Sequence, residues 1–502
     1  MGDPKEQPAI HARRPQTLEG PTSVMVDLPP KPFDTNSLPH AESAPSFKQL
    51  SPLEFEIGGD SSADVCESDE DLVRPLVGQY HSGNEDSHPN SNENTSSAID
   101  DHHGAASPGS ASTTQVVINI VISFVGAGLL GIPNAISKAG WLLGSVTLLT
   151  VSALNVYAML CLPVVQVVLQ RRHPNESIQS YGDLGRVILG ERGEKIIFVC
   201  LGISQAGFAT AYLIFISANL NSIYNVSRGL VCLACIPGLA LLVQFRDLKS
   251  LSPFSLLANT ANFCALSAVL FQDYESYTPH NDNIHKVKWG GLLYVIAITI
   301  YSMEGVGLIL SLKGSCKKPD FFSFLIISTL TVISLFTVVF GSAGYFAFGD
   351  GTLAPITLNM TAHWSATFVK CALCLGLYLT YPIMMFPIWS ICENSHPMFS
   401  QSTATGRRNQ IVMRASLVVL SAMVAYWVPN FGKFLSLVGS SICTLLGFVF
   451  PMYFHLYVLG KDLPIWQKAL DAFLLIGGFL FGMMGTWESL VAMMQGELEG
   501  EV

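Results

Sequence analysis

The chain has 502 residues, a net charge of −10, 50% hydrophobic residues and only 13% charged ones. Soluble domains run at about 25% charged, so this arithmetic argues against a soluble enzyme and for a polytopic membrane protein. No basic block rises above the background, which argues against a nucleic-acid partner.

The acid is concentrated at the start. Residues 1–110 hold 19 Asp/Glu, 6 Lys/Arg and 13 of the 27 prolines. That composition predicts a disordered, acidic tail over 1–112, with a boundary near Ser112. It has no apolar run near the start and so does not read as a signal or transit peptide. The Ser-rich stretches and the cluster Glu67-Ser68-Asp69-Glu70-Asp71 are a surface for cytosolic regulators or sorting factors.

About eleven apolar runs of transmembrane length follow, at 115–138, 141–169, 196–224, 229–246, 252–272, 290–312, 321–347, 364–391, 411–429, 431–458 and 468–494. Spans 9 and 10 are separated only by Pro429, Asn430 and Gly432, a tight turn. The transmembrane domain covers 113–495, and 496–502 form a short acidic end. Lys and Arg divide 15 to 6 between the two sets of connections, with the richer set between spans 2–3, 4–5, 6–7, 8–9 and 10–11. By the positive-inside rule the tail and that set face the cytosol. Two sequons, at Asn225 and Asn359, fall on the other side and are candidate glycosylation sites. Cys232/Cys235 and Cys371/Cys374 have C-x-x-C spacing inside apolar runs and read as packing residues.

Two spans are interrupted in matching ways. Span 1 reads Phe124-Val125-Gly126-Ala127-Gly128-Leu129-Leu130, and span 6 reads Met303-Glu304-Gly305-Val306-Gly307-Leu308-Ile309. Each carries Gly-x-Gly-Leu and an aliphatic residue near mid-span, five helices apart. Paired glycine-rich breaks at equivalent places in two halves point to a midplane binding site. Freed N–H groups can hold a carboxylate, and freed carbonyls a cation or ammonium. The competing reading is close helix packing through small residues. An odd number of spans in each half makes spans 1 and 6 cross in opposite directions, as an inverted five-plus-five repeat with an eleventh helix requires. Glu304 is the one acid placed near the middle of a span, and a carboxylate there is a functional candidate by default. Lys370 and Glu488 read as side chains that snorkel, and His455 as structural. With no Walker loop, metal cluster or nucleophile elbow, neither an enzyme nor a bound metal or cofactor is expected.

Several runs carry a family resemblance. NIVISFVGAGLLGIPNAISKAGW in span 1 is similar to the first helix of the amino acid/auxin permease family, in its vacuolar and proton-coupled neutral amino acid branch. SYGDLGRVILG, SQAGFATAYLIFI, YSMEGVG, GYFAFGD, Thr380-Tyr381-Pro382 and the long VPNFGKFLSLVGSSICTLLGFVFP match in order and spacing, so the resemblance runs from about 115 to 494. It implies a secondary transporter of the broken-helix fold of the amino acid/polyamine/cation group. It also implies amino acids as substrates, protons as the coupling ion, and a vacuolar or lysosomal membrane rather than the plasma membrane. The implied substrate site is Val125, Gly126, Ala127 and Gly128 with Ser302, Glu304, Gly305 and Val306, assisted by Tyr212 in span 3 and Tyr381 in span 8. Gly126–Gly128 would meet the substrate carboxylate, and Ser302–Glu304 its amine.

Three departures stand out. Ile132-Pro133-Asn134 replaces the family's Leu-Pro-Tyr, and Leu310-Ser311-Leu312-Lys313 its Leu-Pro-Leu-Glu. Where the branch often has a histidine in helix 2, proposed to sense protons, the matching position is Tyr157. That leaves Glu304 as the titratable group of interest for ion coupling. The alternative from another class is a membrane amino acid sensor that signals through its tail.

Overall fold

The computed structural model describes residue 109 and residues 111–245, 248–277, 284–360, 364–395, 397–399, 403–428 and 430–498. The acidic tail as far as residue 108, Pro429 in the turn between spans 9 and 10, and the last residues 499–502 lie outside the described residues. Among the described residues every extended regular element is helical, and the one isolated backbone bridge pairs Ala111 with Cys316.

Eleven helical segments follow in the expected order. Span 1 is Thr113–Phe124 followed, after a short 3-10 turn, by Ile132–Ala139. Spans 2 to 5 are Trp141–Arg172, Glu191–Tyr224, Arg228–Leu242 and Leu248–Ser276. Span 6 is Leu292–Ser302 and Ile309–Ser315, again across a 3-10 turn. Spans 7 to 9 are Phe322–Phe348, Trp364–Ser395 and Ala404–Trp427. Span 10 runs from Phe431 to Leu459, and span 11 is Ile465–Leu498. Among the described residues, eight segments have the length and hydropathy to cross a bilayer, and the bent pair of span 1, taken as one span, makes nine. Arg228–Leu242, with 15 residues, is shorter. Length and hydropathy thus support nine of the eleven expected crossings.

Local chemistry sets the ends. Ser112 and Gln115 cap span 1 reciprocally, the Ser112 N–H reaching Oε1 at 2.8 Å and the Gln115 N–H reaching Oγ at 3.3 Å. Ser112 and Gln115 thus form a capping box. Pro133 lies at the start of Ile132–Ala139, where its missing N–H costs nothing. One element escaped the sequence reading: a nine-residue helix, Tyr181–Leu189, in the connection between spans 2 and 3, capped by Ser180 and Asp183. Its Tyr181 hydroxyl donates to the Leu446 carbonyl of span 10 at 2.9 Å, so the connection is fastened to the bundle.

Two charges behave differently from the surface picture. Lys370 is only 6% exposed and donates to Ser222 Oγ of span 3 at 3.3 Å, instead of reaching for the membrane surface. Arg414, counted with the cytosolic set, is buried; its guanidinium grips Glu393 of span 8 at 2.6 and 3.0 Å and donates to the Val243 carbonyl at 3.0 Å. It also lies over the Trp389 ring, 5.1 Å from its centroid. This fork joins span 9 to span 8 and to the end of span 4. Removing one partner of a buried pair leaves an uncompensated charge. Arg414→Met should therefore lower unfolding stability by about 3 kcal/mol or more, measured as a fall in the thermal midpoint in detergent. Arg414→Met combined with Glu393→Gln should recover part of it, and an unchanged midpoint in the single variant would contradict the role of the pair.

Candidate functional site

Span 1 leaves helical geometry at Val125 and Gly126, and the two halves meet at 43°. Span 6 leaves it at Met303, Glu304 and Gly305. The 3-10 turns recover part of what the breaks release: the Leu129 N–H reaches the Gly126 carbonyl at 3.1 Å and the Leu308 N–H the Gly305 carbonyl at 3.0 Å, while Ile132 and Ile309 donate to the Leu129 and Val306 carbonyls. Only the first residues of each turn lie ahead of any helical acceptor. The two breaks touch. A Cβ added at Gly128 would stand 3.0 Å from the Tyr301 ring and 3.1 Å from Ser302 Oγ. One added at Gly305 would collide with the ring of Phe124, which is 5% exposed.

The two glycines have different surroundings. Gly126 is extended, with φ −126° and ψ −165°, a conformation open to any residue, and no atom lies within 4 Å of its missing Cβ. Gly305, with φ −177°, is extended too. The need for glycine at Gly128 and Gly305 is contact between spans, and conformational freedom at Gly126 is not required.

Polar atoms converge beside the breaks. Ser302 Oγ, Glu304 Oε2, Asn155 Oδ1 and Ser152 Oγ are buried and lack a hydrogen-bond partner. Buried polar atoms are nearly always satisfied, so such a group marks a place for a ligand, an ion or water. Asn155 of span 2 donates its amide to the Met303 carbonyl at 3.0 Å, which caps a carbonyl that the break releases. The Val306 N–H donates to the Glu304 carboxylate. Span 10 closes the site with two π-helical turns, Gly439–Cys443 and Leu445–Val449. A Cβ at Gly447 would lie 3.8 Å from Asn155 Oδ1 and 3.9 Å from Glu304 Oε2. Single π turns inside helices are frequent at functional sites. Gly447 carries no sequence signal of its own. A small cavity lined by Phe124, Ser152, Asn155, Met303 and Ser334, among others, adjoins the break of span 6.

The remaining expected residues are placed as follows. Val125, Ala127 and Val306 lie in the breaks themselves, and Tyr212 of span 3 is buried beside Tyr301. Tyr381 is fully buried, but its hydroxyl is engaged 2.5 Å from Ser421 Oγ of span 9, which assigns it to the contact between spans 8 and 9. Asn225 is the exposed, left-handed cap of span 3, with φ 54°. The Asn359 side chain donates to the Gly351 carbonyl at 2.8 Å and accepts from the Leu353 N–H at 2.7 Å. It holds a loop together, and the nitrogen a glycan would use is occupied. The departures in sequence also have structural work. Asn134 donates to the Thr352 carbonyl at 2.7 Å and accepts from the Tyr294 hydroxyl at 2.9 Å, while Lys313 donates to Gln166 Oε1 at 3.0 Å.

A second polar centre was missed, because Asp471 sits at the very start of the span 11 run. Asp471 is fully buried; Tyr157 of span 2 donates to its Oδ1 at 2.6 Å, and His455 Nδ1 of span 10 lies 2.7 Å from its Oδ2. Cys161 Sγ completes a set of ligand-type atoms within 4.8 Å of one another. Two ligands on one tetrahedral zinc stand about 3.3 Å apart, so the closer His–Asp contact is that of a hydrogen bond holding a proton. The geometry describes a hydrogen-bonded cluster.

An all-helical membrane protein with paired broken helices and polar atoms gathered between them is built as a carrier of small molecules. The profile of the transmembrane amino acid transporter protein family matches residues 109–494, and the chain belongs to that family. Amino acid transporter ANT1 of Arabidopsis thaliana is 35% identical over 399 residues, covering 76% of this chain and 92% of that protein. Amino acid transporter AVT3B of the same plant is 34% identical over 404 residues, covering 77% and 94%. Vacuolar amino acid transporter 3 of Saccharomyces cerevisiae (strain ATCC 204508 / S288c) is 27% identical over 374 residues, covering 69% of this chain and 52% of that protein. The relatives are named as transporters, a class outside the enzymes.

The contact between the breaks yields a directional test. Gly305→Ala should cut amino acid uptake about tenfold or more, because overpacking of 1–3 kcal/mol falls on the site itself. Gly126→Ala should stay within about twofold of wild type, since its space is open. Phe124→Leu should restore part of the loss at Gly305. Equal activity of the two alanine variants, at equal surface expression, would contradict the assignment.

Proposed function

We propose that this chain moves neutral amino acids across a vacuolar-type membrane together with protons, by alternating access around the two breaks. Family membership supports amino acid transport, and the vacuolar relative in yeast supports the compartment. The observation that carries the site is the meeting of the two breaks, with Ser302 Oγ, Glu304 Oε2 and Asn155 Oδ1 buried and unpartnered around it. N–H groups at the start of the second half of span 1 suit a substrate carboxylate. Ser302, the Glu304 region and the carbonyls ending Leu292–Ser302 suit its amine. One acid fits an ammonium or a proton, and leaves no counter-charge for a charged substrate side chain, which favours neutral amino acids. Such a carrier works only if substrate and proton each favour one of its two states. In this reading the Lys/Arg-rich connections and the N-terminus face the cytosol, where the tail is open to regulators.

Uptake of a labelled amino acid panel into proteoliposomes, with and without an imposed pH gradient, tests this. Neutral amino acids should accumulate only with the gradient. Glu304→Gln should keep the fold and flatten the pH dependence. Accumulation driven by sodium alone would overturn proton coupling, and ligand binding with no uptake at all would overturn transport.

A further inference from the structure

Glu304 and Asp471 are connected through the same two helices. Span 2 brings Asn155 to the break of span 6 and, two residues on, Tyr157 to Asp471. Span 10 brings Gly447 against Glu304 and His455 against Asp471. Eight residues separate Gly447 from His455, so the two centres lie on the order of 10 Å apart along span 10. The Asp471 centre is the nearer to the connection that carries Lys461 and Lys468. Span 11, outside the five-plus-five repeat, is anchored to spans 2 and 10 through it.

We infer that Asp471, His455 and Tyr157 form a second proton-binding centre, whose proton occupancy governs the closing of the seam between spans 2, 10 and 11. The ligand is one proton. With it bound, imidazolium and carboxylate make a neutral pair, and the Tyr157 hydroxyl satisfies the other carboxylate oxygen. When the proton leaves to water, the neutral imidazole remains beside a carboxylate, and the centre carries a net charge of one. Such a charge is costly in a dry seam and is relieved when water enters. The loaded centre therefore favours the closed seam and the unloaded centre the open one. The titratable groups facing the pair are Tyr157 and Cys161 from span 2, His455 from span 10 and Asp471 from span 11. Lys468 Nζ, in the first turn of span 11, donates to the Lys461 carbonyl of the adjoining connection.

This centre rests on proton-coupled transport, so the wild-type protein is the internal control. The full-length chain is reconstituted, and uptake of a neutral amino acid is followed against pH on the Lys461 side. Tyr157→Phe keeps the ion pair and removes one hydrogen bond to the charged carboxylate. The half-maximal pH of uptake should move by about one unit. His455→Gln should keep amino acid exchange at zero gradient but lose gradient-driven accumulation at least tenfold. Thermal unfolding of both variants in detergent separates these effects from misfolding, and if His455→Gln does not fold, Tyr157→Phe decides alone. A wild type without gradient-driven uptake would overturn proton coupling and this centre with it. A responsive wild type, with an unmoved midpoint in Tyr157→Phe, would overturn the centre alone.

Discussion

A peptide group released from a helix inside a bilayer has no water to turn to, and the rest of this structure depends on that constraint. It is why the described chain is helical across its spans and why its interruptions carry information. Spans 1 and 6 each give up hydrogen bonds, and they do so against each other. Part of what is released is satisfied within the protein, as where Asn155 holds the Met303 carbonyl. The part left open, with Ser302 Oγ and Glu304 Oε2 beside it, is where the proposed function places the substrate's carboxylate and ammonium. The site is thus made chiefly of backbone, which explains why few conspicuous side chains mark it.

The frame around the breaks is held by polar contacts that would be modest in water and weigh more in a low dielectric. The Arg414–Glu393 fork fixes spans 8 and 9 together, and Asn134 ties the end of span 1 to Tyr294 and Thr352. Lys313 joins the second half of span 6 to span 2. A broken helix with its far half anchored can keep a defined gap at the break. Span 10 carries its π turns at this level, where Gly439 packs against the Ala297 carbonyl of span 6.

Much of this was legible in the sequence, because apolar length and paired glycines are local signals. The broken spans, their order and the family could all be read along the chain. What escaped depends on partners far apart in sequence. Asp471 looked like the edge of span 11, since its partners Tyr157 and His455 lie on two other spans and periodicity says nothing of them. Tyr381 was matched correctly to span 8, but the direction of its hydroxyl, toward Ser421, is a matter of packing. Gly126 and Gly305 look alike as letters; only the position of the Phe124 ring separates the one with room from the one without. Asn359 fits a sequon and a loop brace equally well until its amide partners are known.

The central claim is that substrate binds where the breaks of spans 1 and 6 meet. A structure of the protein in a lipid nanodisc, determined with and without a transported neutral amino acid, tests it most directly. The account predicts substrate density between Gly126–Gly128 and Ser302–Gly305, with the carboxylate on the span 1 side and the ammonium toward Glu304. Density elsewhere, with both breaks unoccupied at saturating substrate, would contradict it.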